Sequence, residues 1–245
     1  MARLADRRIA AAMLAVGAGP LLLLGGCDST IQANARAKLA AQRRLAAKEA
    51  HLVVQRGTAV RVDRVTLLRD ADSTAVVVDL HNATTQAVGD VPISVGVRRG
   101  TAKVLLNDDP ELDWFQTHLP LVAGGDRATW VFRSPPGGRA RAGDTPFVRI
   151  GAPLRTVATS PLPTLTATVA HSTASKADVV LSDATVPQIG LPVNVVARRD
   201  EVPVAAGTAV LDTLDRDEQR TISVPLTRDA RTLAPTASAL PTIYQ

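Results

Sequence analysis

The chain has 245 residues, 46% of them hydrophobic and 21% charged, a composition that suits a folded protein and excludes wholesale disorder. A single cysteine excludes disulfides within the chain and multi-cysteine metal clusters. The formal charge of +5 comes entirely from the first 56 residues, because residues 57–245 carry 19 basic and 20 acidic side chains. This distribution argues against nucleic acid as a partner and favours a membrane surface for the N-terminal part.

The first 26 residues have the layout of a secretory signal peptide. A basic start, MARLADRR, is followed by 16 apolar residues at 9–24, which is short for a membrane-spanning helix, since such a helix needs about 20. The apolar run leads into Leu24-Gly25-Gly26-Cys27, with an aliphatic residue three positions before the cysteine and small residues directly before it.

This tetrapeptide resembles the lipobox of bacterial lipoproteins. The resemblance implies cleavage before Cys27 and a diacylglyceryl group on its thiol, so that the protein is anchored in the cell membrane on its extracytoplasmic face. Cysteine suits this role because the thiolate is a strong nucleophile, and two acyl chains give stable anchoring. The alternative is an uncleaved signal anchor in which Cys27 has no role. The paired Arg7 and Arg8 leave open whether export follows the general or the twin-arginine route.

Residues 27–57 are predicted to form the lipidated cysteine and a basic helical stalk. Residues 28–56 contain no proline or glycine and are rich in alanine, arginine, glutamine and lysine, which favour helix, and Gly57 provides a stop signal. A helix over this whole segment would be about 43 Å long. Its basic side chains indicate either contact with anionic lipid, as a second link to the bilayer, or a solvated spacer.

From Gly57 onward, alternation of apolar and polar residues indicates β-strands. Three segments recur at offsets of 101, 100 and 92 residues. They are DLHNAT at 79–84 with VLSDAT at 180–185, VPISVGVRR at 91–99 with LPVNVVARR at 191–199, and LPLVAGGDRATWVF at 119–132 with LDTLDRDEQRTISV at 211–224. The last pair aligns Trp130 with Ile222 and Phe132 with Val224, so that the buried face stays apolar.

The pattern predicts a mainly β protein with two tandem immunoglobulin-like β-sandwich domains, at 58–153 and 162–245, joined by a linker at 154–161. Neither domain has the Cys…Trp…Cys spacing of antibody domains. The succession of a hydrophobic strand, an Asn/Asp-Ala-Thr turn and a proline-led strand resembles envelope modules of the FxLYD type, although the Phe-x-Leu-Tyr-Asp string is absent. The resemblance implies a β-sandwich outside the membrane without known catalysis.

Residues 57–245 contain none of the common catalytic, phosphate-binding or zinc-binding motifs, and no catalytic residue, cofactor or metal is predicted. His81 and His118 lie in the same predicted domain, but no ligand spacing supports a metal site. Asn82 begins a glycosylation sequon that is also typical of a turn. The alternatives left open are a small-ligand or metal-binding lipoprotein and a hydrolase whose dispersed residues, including a histidine and carboxylates, meet in a pocket.

The first domain has eight more residues than the second between its aligned segments, because the offset falls from 100 to 92. The extra residues give an acidic string with two aromatic residues, where clustered oxygens could bind Ca²⁺ or paired carboxylates could serve a glycosidase. If this segment is extended, one aromatic side chain points inward and the other is exposed as a contact for a protein partner; alternatively, both cover the end of the sandwich. The predicted partner contacts are Asp108, Asp109, Glu111, Asp113, Trp114 and Phe115. Together these features predict a non-catalytic scaffold that binds an envelope or secreted protein.

Overall fold

The computed structural model describes most of the chain after residue 55. The described residues are 56–70, 73–134, 140–158 and 161–243, together with Lys38, Ala41 and Gln42. The predicted signal peptide, Cys27 and nearly all of the predicted stalk lie outside this set. The three described stalk residues have helical backbone, which does not establish a helix over 28–56. Within the described ranges, no helix has the length and the apolar character needed to span a membrane.

Fifteen strands and one 3-10 helix, Trp114–Gln116, are found in the described part of the chain. In chain order the strands are β1 Val60–Arg69, β2 Thr74–Asn82, β3 Ala87–Gly89, β4 Val91–Arg99, β5 Ala102–Leu105, β6 His118–Leu119, β7 Arg127–Ser134, β8 Thr145–Ile150, β9 Arg155–Val157, β10 Thr166–Ser172, β11 Lys176–Ser182, β12 Gln188–Arg199, β13 Val202–Leu214, β14 Arg220–Pro225 and β15 Thr236–Ala239. The prediction of a mainly β protein is therefore confirmed.

Residues 56–158, called the first half below, form two antiparallel sheets that pack face to face, together with a small two-stranded sheet of β3 and β9. One sheet has the order β1-β2-β7, and in the other β4 pairs with β5, β6 and β8. Because side chains alternate across a strand, Val76, Val78 and Leu80 of β2 point into the space between the sheets. There they meet inward-facing residues of β4, such as Ile93 and Val95, in a single buried cluster.

Residues 161–243, the second half, repeat this arrangement. Apart from the short strands β3, β6 and β9, the first half has six principal strands, and they correspond in order to β10–β15. The sheets of the second half have the orders β10-β11-β14 and β13-β12-β15, so that the first, second and fifth principal strands form one sheet in both halves. Val78 pairs with Trp130 in the first half, and Val179 pairs with Ile222 in the second. The register thus reproduces the sequence offsets of 101 and 92 residues, and each half has its own apolar core.

The two halves are in direct contact through the outer faces of two sheets. A buried apolar cluster crosses the interface and consists of Leu68, Ala75, Val77, Val131, Val196 and Ala206. Beside it, the Arg198 guanidinium binds the Asp79 carboxylate with N–O distances of 2.6 and 3.1 Å. The Val131 amide also donates to the Asn194 side-chain oxygen across the interface, at 3.3 Å. The sheet containing β2 is consequently covered on both faces.

Two further segments are fixed against the body of the first half. β9, at Arg155–Val157 within the predicted linker, pairs with β3. At the C-terminal end, the Leu121 amide donates to the Pro241 carbonyl at 3.1 Å. The fully buried Gln188 side chain accepts hydrogen bonds from the backbone amides of Thr242 and Ile243, at 2.7 and 3.1 Å. The end of the second half is therefore fixed against the first.

An ion pair fixes the end of β4 to the turn before β8, and it gives a pH-dependent prediction. Arg99 binds the Asp144 carboxylate through two nitrogens, at 3.0 and 2.8 Å, and the Arg141 amide donates to the same carboxylate at 2.7 Å. These hydrogen bonds, that of Arg99 above all, hold the pKa of Asp144 below its ordinary value of 3.8. A lowered pKa means that the stabilisation is complete above pH 3.8 and is lost as the pH falls through the lower value in the folded protein.

The Asp144→Asn variant is accordingly expected to be less stable than the wild type at neutral pH, and the difference in unfolding free energy should shrink below pH 3.8. Urea unfolding of both proteins at neutral pH and in a series of acidic buffers measures this difference. A difference that remains constant throughout the series would show that the carboxylate charge does not contribute.

Candidate functional site

The six predicted contact residues lie on the connection from β5 to β6, called the acidic loop below and comprising residues 106–117. Four carboxylate side chains of this loop are exposed, those of Asp108, Asp109, Glu111 and Asp113. Trp114 is half-buried, and Phe115 is 8% exposed. Since both aromatic residues lie in the 3-10 helix rather than in an extended segment, neither is fully exposed.

The acidic loop is held to the sheet by Asn107, a fully buried residue that is not among the predicted site residues. Its side-chain oxygen accepts from the Val95 amide at 2.9 Å, and its side-chain nitrogen donates to the carbonyls of Ile93 and Gln116, at 2.9 and 3.1 Å. The Asn107 side-chain amide therefore supplies the hydrogen bonds that a neighbouring strand would make to Ile93 and Val95. This part of β4 is not paired with β5, whose pairing begins at Gly96. In the second half, β12 and β13 pair along nearly their whole length and need no such substitute.

Replacing Asn107 with alanine should leave the Val95 amide and the Ile93 carbonyl without partners in a buried position. Since a buried unsatisfied group costs about 1–3 kcal/mol, we expect the unfolding free energy to fall by about 2–4 kcal/mol. Urea unfolding measures the change. The matched control is Glu111→Ala on the exposed part of the same loop, with an expected effect within about 0.5 kcal/mol. Equal effects of the two substitutions would contradict the role assigned to Asn107.

Trp114 is held in place by a chain of polar and aromatic contacts. Its ring stacks on the buried His118 ring, with the centroids 3.6 Å apart and the planes 3° from parallel. The indole nitrogen donates to the Asp90 carboxylate at 3.1 Å, and Arg155 pairs with the same carboxylate at 3.3 Å. A half-exposed aromatic residue fixed in this way loses little conformational entropy when a partner binds.

The acidic loop also has internal hydrogen bonds that define its shape. The Glu111 amide donates to the Asp109 carboxylate at 2.9 Å, and the Asp113 amide donates to the Gln116 side chain at 3.0 Å. At its base, the Trp130 indole nitrogen donates to the Phe115 carbonyl at 3.1 Å. The exposed carboxylates therefore project from a loop whose backbone is fixed at several points.

A cavity of about 280 Å³ separates the acidic loop from the second half. Asp113 and Phe115 line it on the side of the loop, and Pro192, Thr208 and Val210 line it on the side of β12 and β13. Val210 is 37% exposed. The lining of this cavity thus combines one carboxylate of the acidic loop with apolar side chains from both halves.

The two histidines of the first half lie in separate environments. His81 is half-exposed on β2, with its Nδ1 atom 2.5 Å from the Asp63 carboxylate, whereas His118 is buried under Trp114. Neither histidine lines the cavity beside the acidic loop. In the part of the chain that the structure describes, no three His, Cys, Asp or Glu side chains are placed to hold a metal ion.

Asn82 forms the turn that its sequence indicates. Its buried side-chain nitrogen donates to the carbonyls of Gln86 and Val122, at 2.7 and 3.1 Å, and its side-chain oxygen accepts from the Thr84 amide at 3.0 Å. Every polar atom of this side chain is used within the fold, so the turn interpretation is confirmed.

No protein-family model matches the chain, and no curated protein matches it in sequence.

Proposed function

We propose that the protein is a non-catalytic, lipid-anchored scaffold on the extracytoplasmic face of a bacterial membrane, where it binds an envelope or secreted protein. The observation that carries the proposal is the acidic loop, which holds exposed carboxylates and a fixed, half-exposed Trp114 on one surface. Aromatic residues of this kind, surrounded by polar groups, are frequent centres of protein–protein contacts.

The proposed architecture is a pair of immunoglobulin-like sandwiches. Each half has two facing antiparallel sheets built from six principal strands, with the same strand order in both, and each is close to the roughly 100 residues typical of such domains. The cores are apolar and continuous between the sheets. A sandwich of this type offers loops at its ends and edge strands as binding surfaces.

The proposed anchor depends on the sequence Leu24-Gly25-Gly26-Cys27 and on the basic segment that follows it. A diacylglyceryl group on Cys27 would hold the chain at the bilayer, with the basic side chains of 28–56 favouring anionic lipid. The Cys27→Ser variant tests this part separately, because it should lose lipid labelling and the lipid-dependent shift in electrophoretic mobility. Unchanged labelling of this variant would overturn the anchor.

The partner-binding part is tested by affinity capture from solubilised membranes with the full chain as bait. The Asp108→Asn/Glu111→Gln variant removes two charges from the acidic loop while preserving side-chain size. Its matched control, Asp200→Asn/Asp212→Asn, removes the same charge from exposed positions in the second half. We expect the first variant to lose partners that the wild type and the control both retain. Identical sets of captured proteins for all three would overturn the assignment of the acidic loop.

A further inference from the structure

A cavity of about 810 Å³ opens at one edge of the first half, away from the acidic loop. It lies between β1 and β8, which belong to opposite sheets and pair only with β2 and β4, respectively. One end is closed where the Gly57 amide donates to the Ile150 carbonyl at 3.0 Å and Arg56 bridges Gly151. Its volume lies within the range of roughly 300–1,000 Å³ that is typical of small-molecule sites.

Part of the cavity lining is apolar and belongs to the sandwich itself. Val60 and Ile150 are buried side chains of the core, Val148 packs against that core, and all three line the cavity. Val62 also lines it and is 37% exposed, one of the few large apolar residues with so much exposure in the described part of the chain. The cavity can therefore receive an apolar group against an existing valine and isoleucine surface.

Three arginines, Arg56, Arg61 and Arg149, line the same cavity, and no aspartate or glutamate does. None of the three forms an ion pair with a carboxylate in the structure as described. The neighbouring acid on β1, Asp63, is bound to His81 and Arg127 instead. The Arg149 guanidinium lies 5.8 Å from the centroid of the Phe147 ring, a contact that leaves its N–H donors available.

We propose that this cavity binds a phosphate ester that carries an apolar substituent. Guanidinium groups donate paired hydrogen bonds that match phosphate oxygens, and three cationic side chains with no carboxylate beside them favour an anionic phosphate, whether a monoester or a diester, over a neutral ligand. The valine and isoleucine side chains of the lining would pack against the apolar substituent. Either a membrane phospholipid or a soluble phosphate ester would supply this chemistry, and binding does not depend on the acidic loop or on its partner.

Calorimetric titration of the full chain with hexyl phosphate tests the proposal. We expect saturable binding that is about tenfold or more tighter than that of inorganic phosphate or hexanol. The Arg61→Gln/Arg149→Gln variant should bind hexyl phosphate about tenfold or more weakly. The matched control, Arg199→Gln/Arg216→Gln, alters exposed arginines of the second half and should bind as the wild type does.

A second variant, Val62→Glu, places a carboxylate against the cavity at an exposed position and should abolish binding without lowering the melting temperature. Equal affinities for hexyl phosphate and inorganic phosphate would overturn the proposal. Equal weakening in the Arg61→Gln/Arg149→Gln variant and its Arg199→Gln/Arg216→Gln control would overturn it as well. Titration with dihexanoyl phosphatidylglycerol distinguishes the two sources of the phosphate ester. Tighter binding of this lipid than of hexyl phosphate supports a membrane phospholipid, and weaker binding supports a soluble monoester.

Discussion

Replacement of Trp130 by alanine is expected to lower the free energy of unfolding by about 3–5 kcal/mol. Trp130 is 1% exposed, pairs with Val78 on the adjacent strand, and lies 6.3 Å from Phe132, ring centroid to ring centroid. Its removal leaves the largest void that a single truncation can create in this core. It also removes the hydrogen bond to the Phe115 carbonyl at the base of the acidic loop.

Urea unfolding followed by circular dichroism measures this loss. Trp130→Phe retains most of the buried volume but lacks the N–H donor, so it separates the packing contribution from the hydrogen bond and should cost less than the alanine variant. Trp114→Ala is a useful control, because Trp114 is half-buried and its truncation should cost about 1–2 kcal/mol. A loss below about 1 kcal/mol for Trp130→Ala would contradict the central position of this residue.

The second large effect is expected at the interface between the halves. Val196 on β12 is 3% exposed and belongs to the apolar cluster that includes Val77 and Ala206. The Val196→Asp variant would place a carboxylate among apolar side chains without a cationic partner in that cluster. We expect a loss of about 3 kcal/mol or more. Because the side chain points away from the core of its own half, the halves should separate before either core unfolds.

Calorimetry detects this separation as a change from one unfolding transition to two. Limited proteolysis provides an independent measurement, since cleavage near residues 154–165 should become faster in the variant. The control is Val202→Asp on β13, where the valine is 49% exposed and the carboxylate remains in solvent. If both variants unfold in a single transition with the same midpoint as the wild type, the interface does not stabilise the fold.

Alternation in the sequence places every second residue of β2 on the same face. Val76, Val78 and Leu80 are buried in the first core, as the period of two requires, and the register of the second half follows the offsets found in the sequence. Alternation could not show that the opposite face, with Val77 and Asp79, is covered as well. That burial depends on a contact with β12 and β13, and a local pattern contains no information about such a partner.

The acidic loop illustrates a different limit of the sequence. Its exposed carboxylates follow from charge alone, but the sequence left two arrangements of the aromatic residues open, because their exposure depends on the backbone. In the structure Trp114 and Phe115 lie in a 3-10 helix, with Phe115 buried and Trp114 half-buried. The buried hydrogen bonds of Asn107 could not be predicted either, since a polar residue at the end of an apolar segment is indistinguishable in sequence from an ordinary turn residue. Its role depends on Ile93 and Val95, which are distant in sequence.

The interface joins the outer face of the first sheet in one half to the outer face of the second sheet in the other. A head-to-tail contact of this kind would propagate into an open filament if both copies carried both surfaces. Gly96 occupies the position equivalent to Val196, and the Phe147 ring lies against it. Asp178 occupies the position equivalent to Val77. At these positions each half carries an apolar side chain on only one of the two sides that the contact uses, so we expect the contact to join these two halves without propagating into a filament.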